Sequence, residues 1–155
     1  MDFIKEALTL GFDNAAVIDV KDLVFVLEYR QFCEENLCGN FNVLSSCPPA
    51  CGTPEEMHRK ALNYKKALIL QTVLESPEEQ SDVKKAKYSH NLLTEKLYKK
   101  MEADAETTPL LISAGPYKHF SCMSAYGIDA QKMADAANML CWTQDEKYVF
   151  FPAPV

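Results

Sequence analysis

The sequence predicts a single layered domain over residues 1–155, of the α/β or α+β class, with about four strands joined by crossover helices. Two observations predict this architecture. Short apolar runs of strand length alternate with stretches of helical spacing, and one helical stretch, near 77–105, is long enough to cross a whole sheet. The 155 residues, 48% hydrophobic and 25% charged, have the balance of an ordinary globular domain. A domain of this size buries roughly 68–70% of the surface its unfolded chain exposes, so it needs no disulfides to fold.

The elements follow in order. "DFIKEALTL" is a short helix with Phe3, Ile4, Ala7 and Leu8 on one side, stopped by Gly11. "AAVIDV" is an apolar run of strand length, and "EYRQFCEEN" is a helical turn or two. The segment that follows reads as loop, with Gly39, Asn40, Asn42, Pro48 and Pro49. "TPEEMHRKALNY" carries a full helix-start signature: Thr53 as N-cap, Pro54 at N1 and Glu56 at N3 to close a capping box. "KALILQTVL" reads as a buried strand. "SPEE" at 76–79 opens the long helix, with Val83, Ala86, Tyr88, Leu92, Leu93, Leu97 and Met101 as core positions. Glu75, Glu78 and Glu79 are a solvated helix start. "PLLISAG" reads as a strand, "DAQKMADAANMLCW" as a helix capped by Asp129, and "KYVFFPAPV" as a last strand. Strand, long helix, strand, helix, strand favours parallel pairing with right-handed crossovers.

The net charge is −6 and the isoelectric point about 5.1. That argues against a nucleic-acid partner, which would want a basic face, and against docking on anionic membranes. "MDFIKEALTLGF" lacks the basic start and apolar core of a secretory signal. No apolar run approaches the roughly 18 residues a membrane helix needs. The expected location is cytoplasmic, where clustered cysteines bind metal or do redox chemistry more often than they form disulfides.

Four of the six cysteines fall within residues 33–51: Cys33, Cys38, Cys47 and Cys51, spaced C-x4-C-x8-C-x3-C. Four thiolates suit zinc or an iron–sulfur cluster. The outer pairs fit zinc spacing, but neither is the tight C-x2-C of the commonest zinc knuckle, and the eight-residue gap wraps a larger object more easily. Cys47-Pro48 echoes the Cys-Pro that ends bacterial ferredoxin motifs. Gly39 and Gly52 each follow a cysteine, where a missing Cβ lets backbone N–H groups approach sulfur. The helix starting near Pro54 places its positive end just after Cys51, although the same residues are ordinary capping without any metal. The alternatives are disulfides, which need an oxidising compartment, and four separate buried thiols acting as small apolar groups.

The stretch "C-x4-CG-x8-CPPACG", together with "LLISAGP" and "FSCMSAYGIDAQKMADAANML", resembles a microbial family of predicted metal-binding proteins of unknown function. The resemblance spans nearly the whole chain. It implies cysteine-ligated metal, an iron–sulfur cluster above all. Cys33, Cys38 and Cys47 match the family's first cysteine motif, and Cys51 lies in its less constrained tail. The sequence departs from the family at one place. After SAGP the family carries a second, ferredoxin-like cysteine group, whereas here Gly115-Pro116 leads directly through Tyr117, Lys118, His119 and Phe120 to Ser121-Cys122. At most one cluster is therefore expected.

Other residues carry weaker signals. His119 and Cys122 form H-x2-C, a secondary candidate pair of metal ligands against the reading of a loop histidine and a buried thiol. Cys141 beside Trp142 reads as core, His58 as a solvated helix position and His90 as an exposed one. Gly115 and Tyr117 lie at a strand's carboxyl end, where open α/β sheets bind ligands, though a Gly-Pro turn explains them equally. No nucleotide-binding loop, zinc-protease or serine-hydrolase signature is present, so no catalytic residue is assigned. The expectation is an iron–sulfur protein with an electron-transfer or accessory redox role and a redox partner protein. A structural zinc module and a metal-free relative are the alternatives.

Overall fold

The computed structural model describes residues 2–35, 42, 46–73, 80–104, 108–113, 117–118 and 120–139. Helix α1 (Phe3–Leu10) starts where the Asp2 carboxylate accepts the Lys5 N–H at 3.2 Å. It ends at Gly11, whose φ of 122° suits a residue without Cβ. Ala7 is its buried contact, and Phe3, Ile4 and Leu10 lean on the same cluster. Leu8, expected on the buried side, is 47% exposed.

Strands β1 (Asn14–Asp19) and β2 (Lys66–Gln71) pair antiparallel, from Asn14 opposite Gln71 to Asp19 opposite Lys66. An ion pair between Asp19 and Lys66 closes the ladder's end. The expected parallel pairing concerned β2 and the two later strands, and among the described residues neither later segment forms a strand to pair with β2. Between β1 and β2 the chain runs through 3-10 turns at Val20–Asp22 and Leu27–Tyr29, then α2 (Arg30–Glu34), the cysteine segment and α3 (Pro54–Leu62).

Strand β2 reads "ALIL" because both of its faces are covered. Ala67 and Ile69 pack with Ile18, Met57, Ala61, Ile112 and Met133. Leu68 and Leu70 pack with Ala7, Phe12, Leu97 and Met101. The sheet is therefore the middle layer, with α1 and α4 (Gln80–Asp104) on one face and α3, α5 (Met123–Tyr126) and α6 (Ala130–Ala136) on the other.

On α4 the stripe that meets the sheet is His90, Thr94, Leu97 and Met101, each 0–1% exposed. The spacing of four, three and four is that of one helix face. Of the expected core positions, Leu97 and Met101 are buried and Leu93 and Ala86 are half-buried. Tyr88 at 61% and Leu92 at 36% exposure are on the outer side. His90, expected in solvent, is fully buried: its ring meets Phe12 edge-on at 5.2 Å and its Nδ1 shares a 2.7 Å hydrogen bond with Thr72 Oγ1.

Residues 110–113 of "PLLISAG" are buried, but the expected strand there is a single parallel bridge between Ser113 and Cys122. "KYVFFPAPV" lies outside the described residues. Among the described residues the expected four strands reduce to one antiparallel pair and isolated bridges. α6 is capped as expected, the Asp129 carboxylate accepting the Lys132 N–H at 3.0 Å. Just before it, Gly127 (φ 75°) lies against the 24–26 segment, where a Cβ would sit 2.7 Å from the Val26 carbonyl oxygen. Among the described residues no helix is long and apolar enough to cross a membrane.

Candidate metal centre

The site is assembled where α2, the cysteine segment and α5 meet. Arg30 opens α2, and Cys33 lies three residues later, 8% exposed, on a helix that packs against α5. Cys47 is 4% exposed and precedes the cis Pro48–Pro49 bond. The chain then closes a tight turn: the Cys51 N–H donates to the Cys47 carbonyl at 3.2 Å, and the Gly52 N–H to the Pro49 carbonyl at 3.2 Å. Gly52 has φ 115°, so its lack of Cβ serves the backbone path into α3. Its N–H is directed to Pro49. The capping box of α3 follows as predicted, Thr53 Oγ1 accepting from Glu56 N–H and Glu56 from Thr53 N–H, both at 3.2 Å.

Cys122 reaches this turn from 71 residues further along the chain. Ser121, next to it, donates its hydroxyl to the Ser46 carbonyl at 2.8 Å, which stitches the two segments together. Cys122 and Cys51 are both half-buried against the same core cluster. Burial pushes the Cys51 thiol above its ordinary range. Arg30 opposes that shift by favouring thiolate, a second thiol at Cys122 adds to it, and the Ser121 hydroxyl lowers it. Tyr126, on α5, is also pushed up to about 12, by burial first and then by Cys51 and Tyr64.

Beneath these groups lies Arg30, 7% exposed. Its Nη1 donates to the Gly52 carbonyl at 2.7 Å and its Nη2 to the Ala125 carbonyl at 2.9 Å and the Met57 sulfur at 3.0 Å. All three acceptors are neutral. A cleft of about 560 Å³ opens beside it, lined by Leu27, Glu28, Gln31, Glu34, Pro49 and Glu55 among others.

Of the residues singled out by sequence, Cys51 and Cys122 pack against the same core cluster, and Cys47 stands one turn from Cys51. Cys38, Gly39, Gly115, His119 and Cys141 lie outside the described residues. Among the described residues no three histidine, cysteine, aspartate or glutamate side chains are placed to hold a metal ion. His58 stacks on Phe25 at 4.3 Å, and His90 belongs to the opposite layer. Tyr117 is buried, with Lys118 Nζ 5.4 Å from its ring.

Residues 16–117, more than half the chain, match the family described as "Predicted metal-binding protein (DUF2284)". The chain belongs to the DUF2284 family. No curated protein and no solved structure matches it. The DUF2284 match takes in Cys33, Cys38, Cys47 and Cys51 and stops short of Cys122. Arg30, Ser121 and Tyr126 were not singled out by sequence. For Arg30 a signal existed: in "YRQFC" it precedes Cys33 by three residues, which puts both on one helix face. The chemistry of the region is compatible with a thiolate-bound metal: two half-buried thiols share one core cluster, and among the described residues the buried guanidinium has neutral acceptors, which leaves it suited to a nearby anion.

Proposed function

We propose that this protein holds a cysteine-ligated iron–sulfur cluster and serves in electron transfer, or as an accessory redox protein, with a redox partner protein in the cytoplasm. Cys33, Cys38, Cys47 and Cys51 are the thiolate donors, and Cys122 stands as a further donor beside Cys51. The observation that carries this reading is the match to a predicted metal-binding family over the four-cysteine segment, supported by the packing of Cys51 and Cys122 against one core cluster. Soft thiolate sulfurs select iron–sulfur clusters, zinc and copper(I) over hard cations. A bound cluster would supply one-electron chemistry, and the chain's part is to hold it, limit water and set its surrounding charge.

Structural zinc is the second reading. The C-x4-C and C-x3-C spacings of Cys33–Cys38 and Cys47–Cys51 favour it. Anaerobic reconstitution with iron and sulfide, followed by metal and sulfide analysis of wild type and Cys47→Ser, tests both. A brown wild-type protein carrying iron and sulfide, with loading lost in Cys47→Ser, supports the cluster. One colourless zinc per chain supports the second reading. Wild-type protein that takes up neither refutes both.

A further inference from the structure

We infer that Arg30 is a positioning residue for the metal centre: it ties the two thiol-bearing segments together and supplies the fixed positive charge that an anionic thiolate centre needs. The inference rests on the metal-centre reading above and concerns a residue outside the ligand set.

The geometry carries it. Gly52, which accepts from Nη1 at 2.7 Å, directly follows Cys51. Ala125, which accepts from Nη2 at 2.9 Å, is three residues beyond Cys122. One planar guanidinium thus spans both segments, and its rigid fork fixes their spacing in a way a lysine ammonium does not reproduce. Met57 of α3 accepts a third bond at 3.0 Å, so the helix that starts after Cys51 is tied to the same group.

The charge points the same way. A guanidinium that is 93% buried is costly unless an anion compensates it (its exposure is 7%). Among the described residues no carboxylate pairs with Arg30, and its buried Nε has no hydrogen-bond partner there. Among the described residues Lys66 pairs with Asp19, Lys100 with Glu6 and Lys118 with Glu95. Glu28, Glu34 and Glu55 line the cleft beside Arg30 without an ion pair to it among the described residues, and the Cys51 thiol, next to the Gly52 carbonyl that Arg30 holds, is the ionisable group tied to it through the backbone. Metal bound by several thiolates keeps net negative charge at that place, a counter-ion that no carboxylate supplies to the guanidinium among the described residues.

The test is cobalt(II) binding by the reduced, metal-free full chain, read by thiolate-to-cobalt charge-transfer absorption. Wild type, Arg30→Gln and Arg30→Lys are compared. Arg30→Gln is expected to bind cobalt about 10–100-fold more weakly, as loss of a supporting outer group does. Arg30→Lys keeps the charge and is expected to recover most of that affinity, while melting lower because the fork is lost. In iron-loaded protein, Arg30→Gln is expected to shift the reduction potential to more negative values, since a fixed positive charge favours the reduced form. Wild-type cobalt affinity in Arg30→Gln, or an unchanged potential, overturns the inference. Should Arg30→Gln fail to fold, Arg30→Lys decides: retained affinity supports the role of charge, and affinity lost 10-fold or more overturns it. A wild-type chain that binds no cobalt overturns the metal-centre reading itself; a binding wild type with indifferent variants overturns only the part given to Arg30.

Discussion

Acid should weaken this fold through His90, and the size of the effect can be worked out. The side chain is fully buried between Phe12 and Thr72, and burial pushes its pKa from 6.5 down to about 3. The unfolded chain takes up a proton at this position near pH 6.5, and the folded chain does not until about pH 3. Above pH 6.5 both states are neutral there, and stability is intact. Below it the unfolded state binds the extra proton, so stability falls by about 1.4 kcal/mol per pH unit. From pH 6.5 to 5 the loss is about 2 kcal/mol, a sizeable part of the roughly 5–15 kcal/mol that holds a domain together. The carboxylates of Asp19, Glu56 and Glu95 have lowered pKa values, owing first to hydrogen bonds with Lys66, Thr53 and Lys118. Their contributions are present above their ordinary values of 3.8, 4.5 and 4.5 and are lost only at more acid pH. The window from pH 6.5 to 5 therefore isolates the histidine from them. The assay is urea denaturation of reduced, metal-free wild type and His90→Gln at pH 7, 6 and 5. His90→Gln starts less stable but should lose about 2 kcal/mol less over the window. Parallel pH dependence in the two proteins would refute the reasoning.

Three further outcomes follow from the packing. Gly127→Ala puts a Cβ 2.7 Å from the Val26 carbonyl oxygen at a φ of 75° and should cost about 1–3 kcal/mol, seen as a lower melting temperature. Thr53→Ala removes the N-cap of α3 and should cost about 1 kcal/mol in urea denaturation, more than removal of the neighbouring exposed Glu55 carboxylate by Glu55→Gln. Met101→Ala opens a cavity where exposure is 0% and should cost about 2–5 kcal/mol, whereas Tyr88→Ala, 61% exposed, should cost far less.

Local signals in the sequence were strong where they were chemical. Thr53, Pro54 and Glu56 specify a helix start whatever surrounds them, and Gly11 and Asp129 mark the end of one helix and the start of another in the same way. Strand direction was not legible. A continuous apolar run such as "ALIL" reports that both faces are covered, and two helical layers do that for an antiparallel pair as well as for a parallel one. The register of α4 was misread because hydrophobic identity was followed instead of spacing. Leu97 and Met101, extended backwards by helical steps, lead to Thr94 and His90, and those polar residues are the buried ones. Tyr88 and Leu92 lie off that stripe. Around the candidate site, Cys47 and Cys51 were visible as a close pair in sequence. The approach of Cys122 was not, because it depends on the Ser121–Ser46 bond and the Ser113 bridge, which join distant segments.

Metal loading followed by X-ray absorption at the iron edge tests the central claim most directly. The protein reconstituted anaerobically with iron and sulfide should show a first coordination shell made of sulfur alone and a second shell of iron. A first shell of oxygen or nitrogen, or protein that retains no iron, would contradict a thiolate-held cluster.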